Sequence, residues 1–324
     1  MTKIIDRTLS QLKDCENLEK GMLQEMCSLL VQAGVDYIEL SIPIACKLEE
    51  LPKEGHYLLE IENKADLVKY PGFEGYVYKG KYIEGLPDEV IHEVEVQDIE
   101  AIETLERELG ERKVRLTGLG QLMYEEYMEK MKKVIKSYGK HLDFCPTDSH
   151  YCATALGVEW LMNGGRSLSV SFNGIGGYAK LEEILMSIKV IMHKKSNMDL
   201  RVMPRISVLY EKLTQSHINY NKAVVGKNIF NVEAGVQISN NKKNELGYEP
   251  YDPTEVGKVR RLVIGKHSGS SAIKLKLQEK GVKVTEDVVN RLVQDVKVIS
   301  MNKGRSLTDR EFLHLVKEVT CHEA

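Results

Sequence analysis

Apolar positions change period repeatedly along this chain, and the changes mark an alternating series of strands and helices. "KIIDRTL" is a short apolar run closing in polar residues, the pattern of a first strand. Downstream, Leu18, Met22, Met26, Leu29 and Leu30 fall near helical spacing, with Gly34 as a C-terminal stop. "VDYIELSIP" then reads as a second strand, ended by Pro43. Strand, helix and strand within about forty residues is the βαβ unit of a parallel sheet.

From Lys47 to Glu111 the chain is rich in Glu, Lys and Tyr and offers only short strands, "YLLEI", "GYVYKG" and "VIHEVEV". Regular alternation returns with the strand "KVRLTGLG", the helix "YEEYMEKMKKVIKSYG", the strand "LDFCPTD" and the helix "YCATALGVEWLMNGG". The strand and Gly-rich loop "SLSVSFNGIGG" follow, and Leu181, Ile184, Leu185, Ile188 and Ile191 make one apolar stripe on the next helix. After residue 200 the pattern loosens into the loop-rich "NKAVVGKNIF" and "GVQISNNKKNELGYEPYDPTEVGKV". The end of the chain reads as helices, one capped by Thr285 and the last opened by a capping box of Thr308 and Glu311. Apolar residues there, such as Val288, Leu292 and Val296, need cover from the barrel or another chain, and oligomerisation is expected.

Composition narrows the class. The chain has 324 residues, 42% of them apolar, and a formal net charge of -3, so no broad basic surface points to nucleic acid or an anionic membrane. No apolar run approaches the roughly 18 to 20 residues that span a bilayer. The N-terminus lacks the apolar stretch of a signal peptide, and six cysteines without framework spacing suggest reduced thiols; a cytoplasmic location is expected.

The densest chemistry is "DFCPTDSHYC", residues 143 to 152, where Cys145, Asp148, His150 and Cys152 lie close in sequence. Strand alternation turns only Cys145 and Thr147 to one face, while His150 and Cys152 begin the next helix. A rebuilt metal site and an ordinary strand-to-helix turn both remain open. "GIGG" is better explained by a tight turn after a strand than by phosphate binding.

Several stretches in order resemble the family of homocitrate synthase and 2-isopropylmalate synthase, TIM-barrel enzymes that condense acetyl-CoA with a 2-oxo acid using a divalent metal. "IIDRTLSQLKD" is similar to the first-strand signature D-T-T-L-R-D-G-E-Q, and "GVDYIELSIP" to the second strand. "NGIGGYAKLEEILM", "KAVVGKNIFNVEAGVQ", "YEPYDPTEVG" and "GKHSGSSAIKLKL" resemble later segments, the last with its helical tail being most similar to the homocitrate synthase of nitrogen fixation. Only residues 48 to 110 fit poorly. The resemblance implies a (β/α)8 TIM barrel over 1–220, distorted around 48–110, a linker over 221–264, and a helical C-terminal subdomain over 265–324.

It also implies a degenerate site. Ser10 and Gln11 stand where the family has its enolate-stabilising Arg and a metal-binding carboxylate, and a hydroxyl and an amide supply neither charge. Cys145 and Thr147 replace the two metal-binding histidines, Gln237 the general base, and Val232 an earlier histidine of the same segment. Arg115 and Arg205 are the cations available to replace the lost one, although nothing in the sequence aims them at the barrel mouth. No metal is expected on this chain. The family positions that survive are Glu39, Ser171 and His267 as catalytic candidates, and Asn173, Gly174 and Gly176 for substrate; a structural role for each is an equal reading. Lys266, His267 and Ser268 would serve a partner's site in trans, whereas His193 reads as an ordinary surface or satisfied residue.

The resulting expectation is an ω-type subunit, itself degenerate, that assists a competent homocitrate-synthase barrel with acetyl-CoA and 2-oxoglutarate. A stand-alone acyltransferase or lyase of altered chemistry, and a ligand-sensing pseudoenzyme, are the alternatives.

Overall fold

The computed structural model describes all residues except 1, 13–14, 16–17, 80–84, 97–111, 119–126, 139–140, 193–196, 234–248 and 322–324. Two compact units divide the chain, Met1–Gly226 and Lys227–Ala324.

In the first unit, eight parallel strands close into a barrel in chain order, with β1 hydrogen-bonded to both β2 and β8. They are β1 (Lys3–Asp6), β2 (Tyr37–Ser41), β3 (Tyr57–Ile61), β4 (Gly75–Tyr78), β5 (Ile91–Val96), β6 (Val114–Gly118), β7 (Leu142–Pro146) and β8 (Ser167–Val170). Among the described residues, the α-helices of this unit are α1 (Lys20–Ala33), α2 (Ile42–Leu48), α3 (Ala65–Lys69), α4 (Tyr127–Tyr138), α5 (Ala153–Met162), α6 (Leu181–Val190) and α7 (Met203–Thr214). This is the TIM-barrel architecture.

Helix α1 shows how the sequence makes these elements. Leu23, Met26, Cys27, Leu30 and Ala33 form its buried stripe, and Gly34, at φ 103°, turns the chain out and donates to the Leu30 and Val31 carbonyls. Pro43 acts differently from the sequence expectation. The strand already ends at Ser41, and Pro43 lies in the first turn of α2, where its fixed φ suits the helix and no amide donor is required.

The irregular segment between residues 48 and 110 supplies β3, β4 and β5, all full members of the barrel. What is reduced is the connection. The β3 to β4 crossover carries only the five-residue α3.

Strand parity then sorts the barrel interior into layers. Ile5, Leu58 and Val77 pack with Tyr37 and Ile91 as an apolar layer. Two residues further along the same strands come Arg7, Glu39 and Glu93, so the next layer toward the C-terminal mouth is charged.

The second unit has its own core. A two-stranded parallel pair, β9 (Asn231–Val232) and β10 (Arg261–Leu262), accompanies α8 (Ser270–Glu279), α9 (Glu286–Lys303) and α10 (Asp309–Cys321). Val288, Leu292 and Val296, expected to need cover from the barrel or another chain, are buried here beside Ile273, Leu277 and Phe312. Their helix neighbours within the unit provide the cover. Both caps form as the sequence indicates: Thr285 accepts from the Val288 amide, and Thr308 and Glu311 exchange side-chain to backbone hydrogen bonds. No helix among the described residues is long and apolar enough to cross a membrane.

Candidate functional site: a buried ion network at the barrel mouth

Arg7 follows β1 directly and shares its interior face with Ile5, and its side chain is fully buried. Two of its three guanidinium nitrogens hydrogen-bond, and the third makes an ion pair without hydrogen-bond geometry. Nε donates to Glu39 Oε1 at 3.1 Å, Nη1 to Cys145 Sγ at 3.0 Å, and Nη2 pairs with Glu93 Oε2 at 2.9 Å. The Tyr178 ring covers one face, its centroid 4.4 Å from the guanidinium carbon.

Arg115, from β6, completes the network. Its Nη1 lies 2.5 Å from Glu39 Oε2 and 3.1 Å from Glu93 Oε2, and its Nε lies 2.5 Å from Asp143 Oδ2. Ser169 and Ser167 from β8 donate to the two oxygens of Asp143. Burial by itself would raise the Glu39 pKa, but Arg115 and then Arg7 outweigh it and hold the carboxyl down at about 2. Burial pushes the Cys145 thiol up despite both guanidiniums, so the sulfur accepts from Arg7 as a thiol. Two guanidiniums therefore face three carboxylates, a charge-compensated arrangement without excess positive potential.

Each residue singled out in the sequence has its own surroundings. Glu39 is inside the barrel, with an arginine on each oxygen. The Ser171 hydroxyl donates to the Ile175 carbonyl within its own loop. Asn173 adopts φ 55°, its amide donates to Glu182 Oε2, and Gly174 and Gly176 also have positive φ, so the loop is a set of tight turns. His267 is exposed in the second unit, and its amide donates to Glu233 Oε2. Arg205 pairs with Glu25 in an exposed ion pair on the helices, whereas Arg115 lies inside the barrel, contrary to the sequence reading that gave it no direction. Val232 pairs with Leu262 in the second unit's small sheet. Gln237 and His193 lie outside the described residues.

The family metal does not fit the residues at its positions. The Gln11 amide donates to Ser10 Oγ, the Thr147 hydroxyl donates to the Gly118 carbonyl, and Cys145 already receives a cation's N–H. A carboxamide, a hydroxyl and a protonated thiol are a poor set for a hard divalent ion. The alternative set in "DFCPTDSHYC" is scattered. Cys145 faces Arg7, Asp148 pairs with Lys180, and the exposed His150 meets Ser149. Among the described residues, no group of three or more His, Cys, Asp and Glu is arranged to hold a metal ion.

Sequence reasoning missed Arg7, Glu93 and Asp143. The signal was available in parity: residues 39, 93, 115 and 143 are charged and occupy interior positions on four strands, and residue 7 continues the interior face of β1. Aligned on Asp6, the family signature has Thr where this chain has Arg7.

The molecule thus belongs to the class of TIM-barrel proteins whose charged groups collect at the C-terminal mouth of the strands. Residues 224–304 match the family model "Homocitrate synthase post-HMGL domain-like". The chain is 27% identical to the "Homocitrate synthase, omega subunit" of Clostridium pasteurianum over 97% of its own length and 95% of that protein. It is 37% identical to "Homocitrate synthase AksA" of Methanothermobacter thermautotrophicus over 50% of this chain, and the match spans only 42% of that relative. A hydroxymethylglutaryl-CoA lyase structure from Pseudomonas aeruginosa shares the fold, with a TM-score of 0.53 at 12% identity over 67% of this chain and 94% of that one. The chain is thus similar to members of the family that includes homocitrate, 2-isopropylmalate and citramalate synthases.

Proposed function

We propose that this chain is a degenerate, assisting subunit of a homocitrate-synthase-type acyltransferase, acting beside a metal-competent barrel that condenses acetyl-CoA with 2-oxoglutarate. The observation that carries this reading is the occupied mouth. A metal-dependent condensation needs an ion to polarise the 2-oxo acid and a free cation to stabilise the enolate. Here the ligand positions hold Gln11, Cys145 and Thr147, and both interior guanidiniums are already neutralised by carboxylates. Similarity to an omega subunit along nearly the whole of both chains supports the assisting role.

In this reading Glu39 and Ser171 hold the barrel end together. The exposed His267 is the residue on the second unit proposed to act toward the partner. The test is release of free thiol from acetyl-CoA with 2-oxoglutarate and Mg2+ or Mn2+, using this chain alone, a competent homocitrate-synthase barrel alone, and the two mixed. The expected result is silence from this chain and a higher rate in the mixture than from the partner alone, with His267→Ala lowering that gain. Turnover by this chain alone, abolished by a chelator, would overturn the proposal.

A further inference from the structure

The mismatch between the mouth and the family metal leads to a statement about Arg7. We infer that the Arg7 guanidinium is the resident cation of the barrel mouth, and that it excludes a divalent ion by occupying the acceptors that would otherwise hold one. This goes beyond the assisting role and does not depend on it.

The guanidinium is closely enclosed. Nε and Nη1 donate to Glu39 and Cys145, Nη2 lies in an ion pair with Glu93 without hydrogen-bond geometry, and an aromatic face closes one side. These three partners come from β2, β5 and β7, so the guanidinium ties together strands on different parts of the barrel wall. One of the acceptors, Cys145, stands at a metal-ligand position of the family. Another such position, Gln11, donates its backbone N–H to the Arg7 carbonyl at 3.3 Å. The charge balance points the same way. With Arg7 present, three carboxylates face two guanidiniums; without it, Arg115 alone faces Glu39, Glu93 and Asp143. Glu39 and Glu93 then share only Arg115 as a cation and the Cys145 sulfur loses its donor, and such a mixed oxygen and sulfur set suits a borderline metal such as Co2+ or Zn2+.

The experiment titrates Co2+ alone into the full chain, reading the near-ultraviolet thiolate-to-cobalt band and the calorimetric affinity. Wild type is expected to give no band. Arg7→Gln, which removes the charge and keeps a polar side chain, is expected to bind Co2+ at least about tenfold more tightly and to show the band. Adding Cys145→Ser in that background should abolish the band, and Arg7→Lys should restore exclusion. A wild-type band lost in Cys145→Ser would overturn the inference, as would a folded Arg7→Gln variant with no gain in affinity. If Arg7→Gln unfolds, circular dichroism with and without Co2+ decides the matter: recovery of structure by the metal supports an exchangeable cation, and persistent unfolding refutes it.

Discussion

Arg115 Nη1 lies 2.5 Å from Glu39 Oε2, while Arg7 Nε takes the other oxygen of the same carboxylate at 3.1 Å. Glu39 is therefore the shared counter-ion of two fully buried cations. Its loss would leave Arg7 with Glu93 and Arg115 with Glu93 and Asp143, and breaking a buried ion pair typically costs about 3–5 kcal/mol. Glu39→Gln is expected to lower stability by about that amount in urea titration. Arg205→Ala, which breaks the exposed pair with Glu25, should leave the midpoint unchanged within error. Equal effects at the two positions would contradict the placement of the network inside the barrel.

Stability should fall as pH rises from about 4 to 7, through Asp6. Burial raises this carboxyl from 3.8 to about 7, against the lowering effect of the Thr8 hydrogen bonds. Between those values the folded chain keeps a proton that the unfolded chain has released, so stability decreases with rising pH and the loss is complete above about 7. A shift of that size corresponds to at most about 4 kcal/mol. Glu39 acts in a separate window and with the opposite sign: its depressed pKa gives stability above the ordinary 4.5 that is lost as pH falls toward about 2. Asp6→Asn should flatten the dependence between pH 4 and 7. An unchanged slope in that variant would assign the dependence to another group.

The barrel was legible in the sequence because period and punctuation agree locally. Gly34 ends α1 where it was expected, and the second-strand pattern ends within two residues of Ser41. Long-range closure was harder to read. Residues 48 to 110 looked foreign because the β3 to β4 crossover carries only a five-residue helix, although β3, β4 and β5 take ordinary places in the barrel. The site was legible only as a set of losses. Gln11, Cys145 and Thr147 could be recognised as replacements one position at a time. The compensating gain at Arg7 depends on Glu93 and Cys145, which lie 86 and 138 positions further along the chain, as the residue numbers give it (93 − 7 and 145 − 7). Local pattern does not reveal that three partners on separate strands converge on one side chain. Val288, Leu292 and Val296 show the same limit, since periodicity identifies an apolar face without identifying what covers it.

Thiol reactivity should divide the cysteines by their surroundings. Cys46 and Cys321 are exposed, whereas Cys27 and Cys145 are buried. Burial pushes the Cys27 thiol up to about 12 and also raises Cys145. Because the thiolate is the reactive form, a disulfide reagent at pH 8 should label Cys46 and Cys321 rapidly and reach Cys27 and Cys145 only on unfolding. Peptide mapping after timed labelling identifies the sites. Fast labelling of Cys145 in the folded chain would mean that the mouth is open to reagent and that Arg7 does not shield it.

Two glycines with the same backbone angle should respond differently to a methyl group. Gly118 and Gly164 both have φ near +96°, a conformation that disfavours an L side chain by roughly 1–2 kcal/mol. At Gly164 a Cβ meets nothing within 4 Å, so Gly164→Ala should cost only that conformational term. At Gly118 the Cβ would sit 2.4 Å from the Val96 carbonyl oxygen, an atom of the neighbouring strand β5 that is fixed by the ladder between β5 and β6. A backbone atom cannot rotate away as a flexible side chain would. Relief requires separating two strands of a closed barrel, with loss of register below Arg115 and Glu93, which pair across the same ladder. Gly118→Ala should therefore be the more destabilising by at least about 2 kcal/mol, the scale on which overpacking costs a rigid interior. It should also weaken the Arg115 to Glu93 contact, whereas Gly164→Ala should not. Urea titration of both variants measures the difference, and equal losses would show that backbone angle alone sets the cost at Gly118.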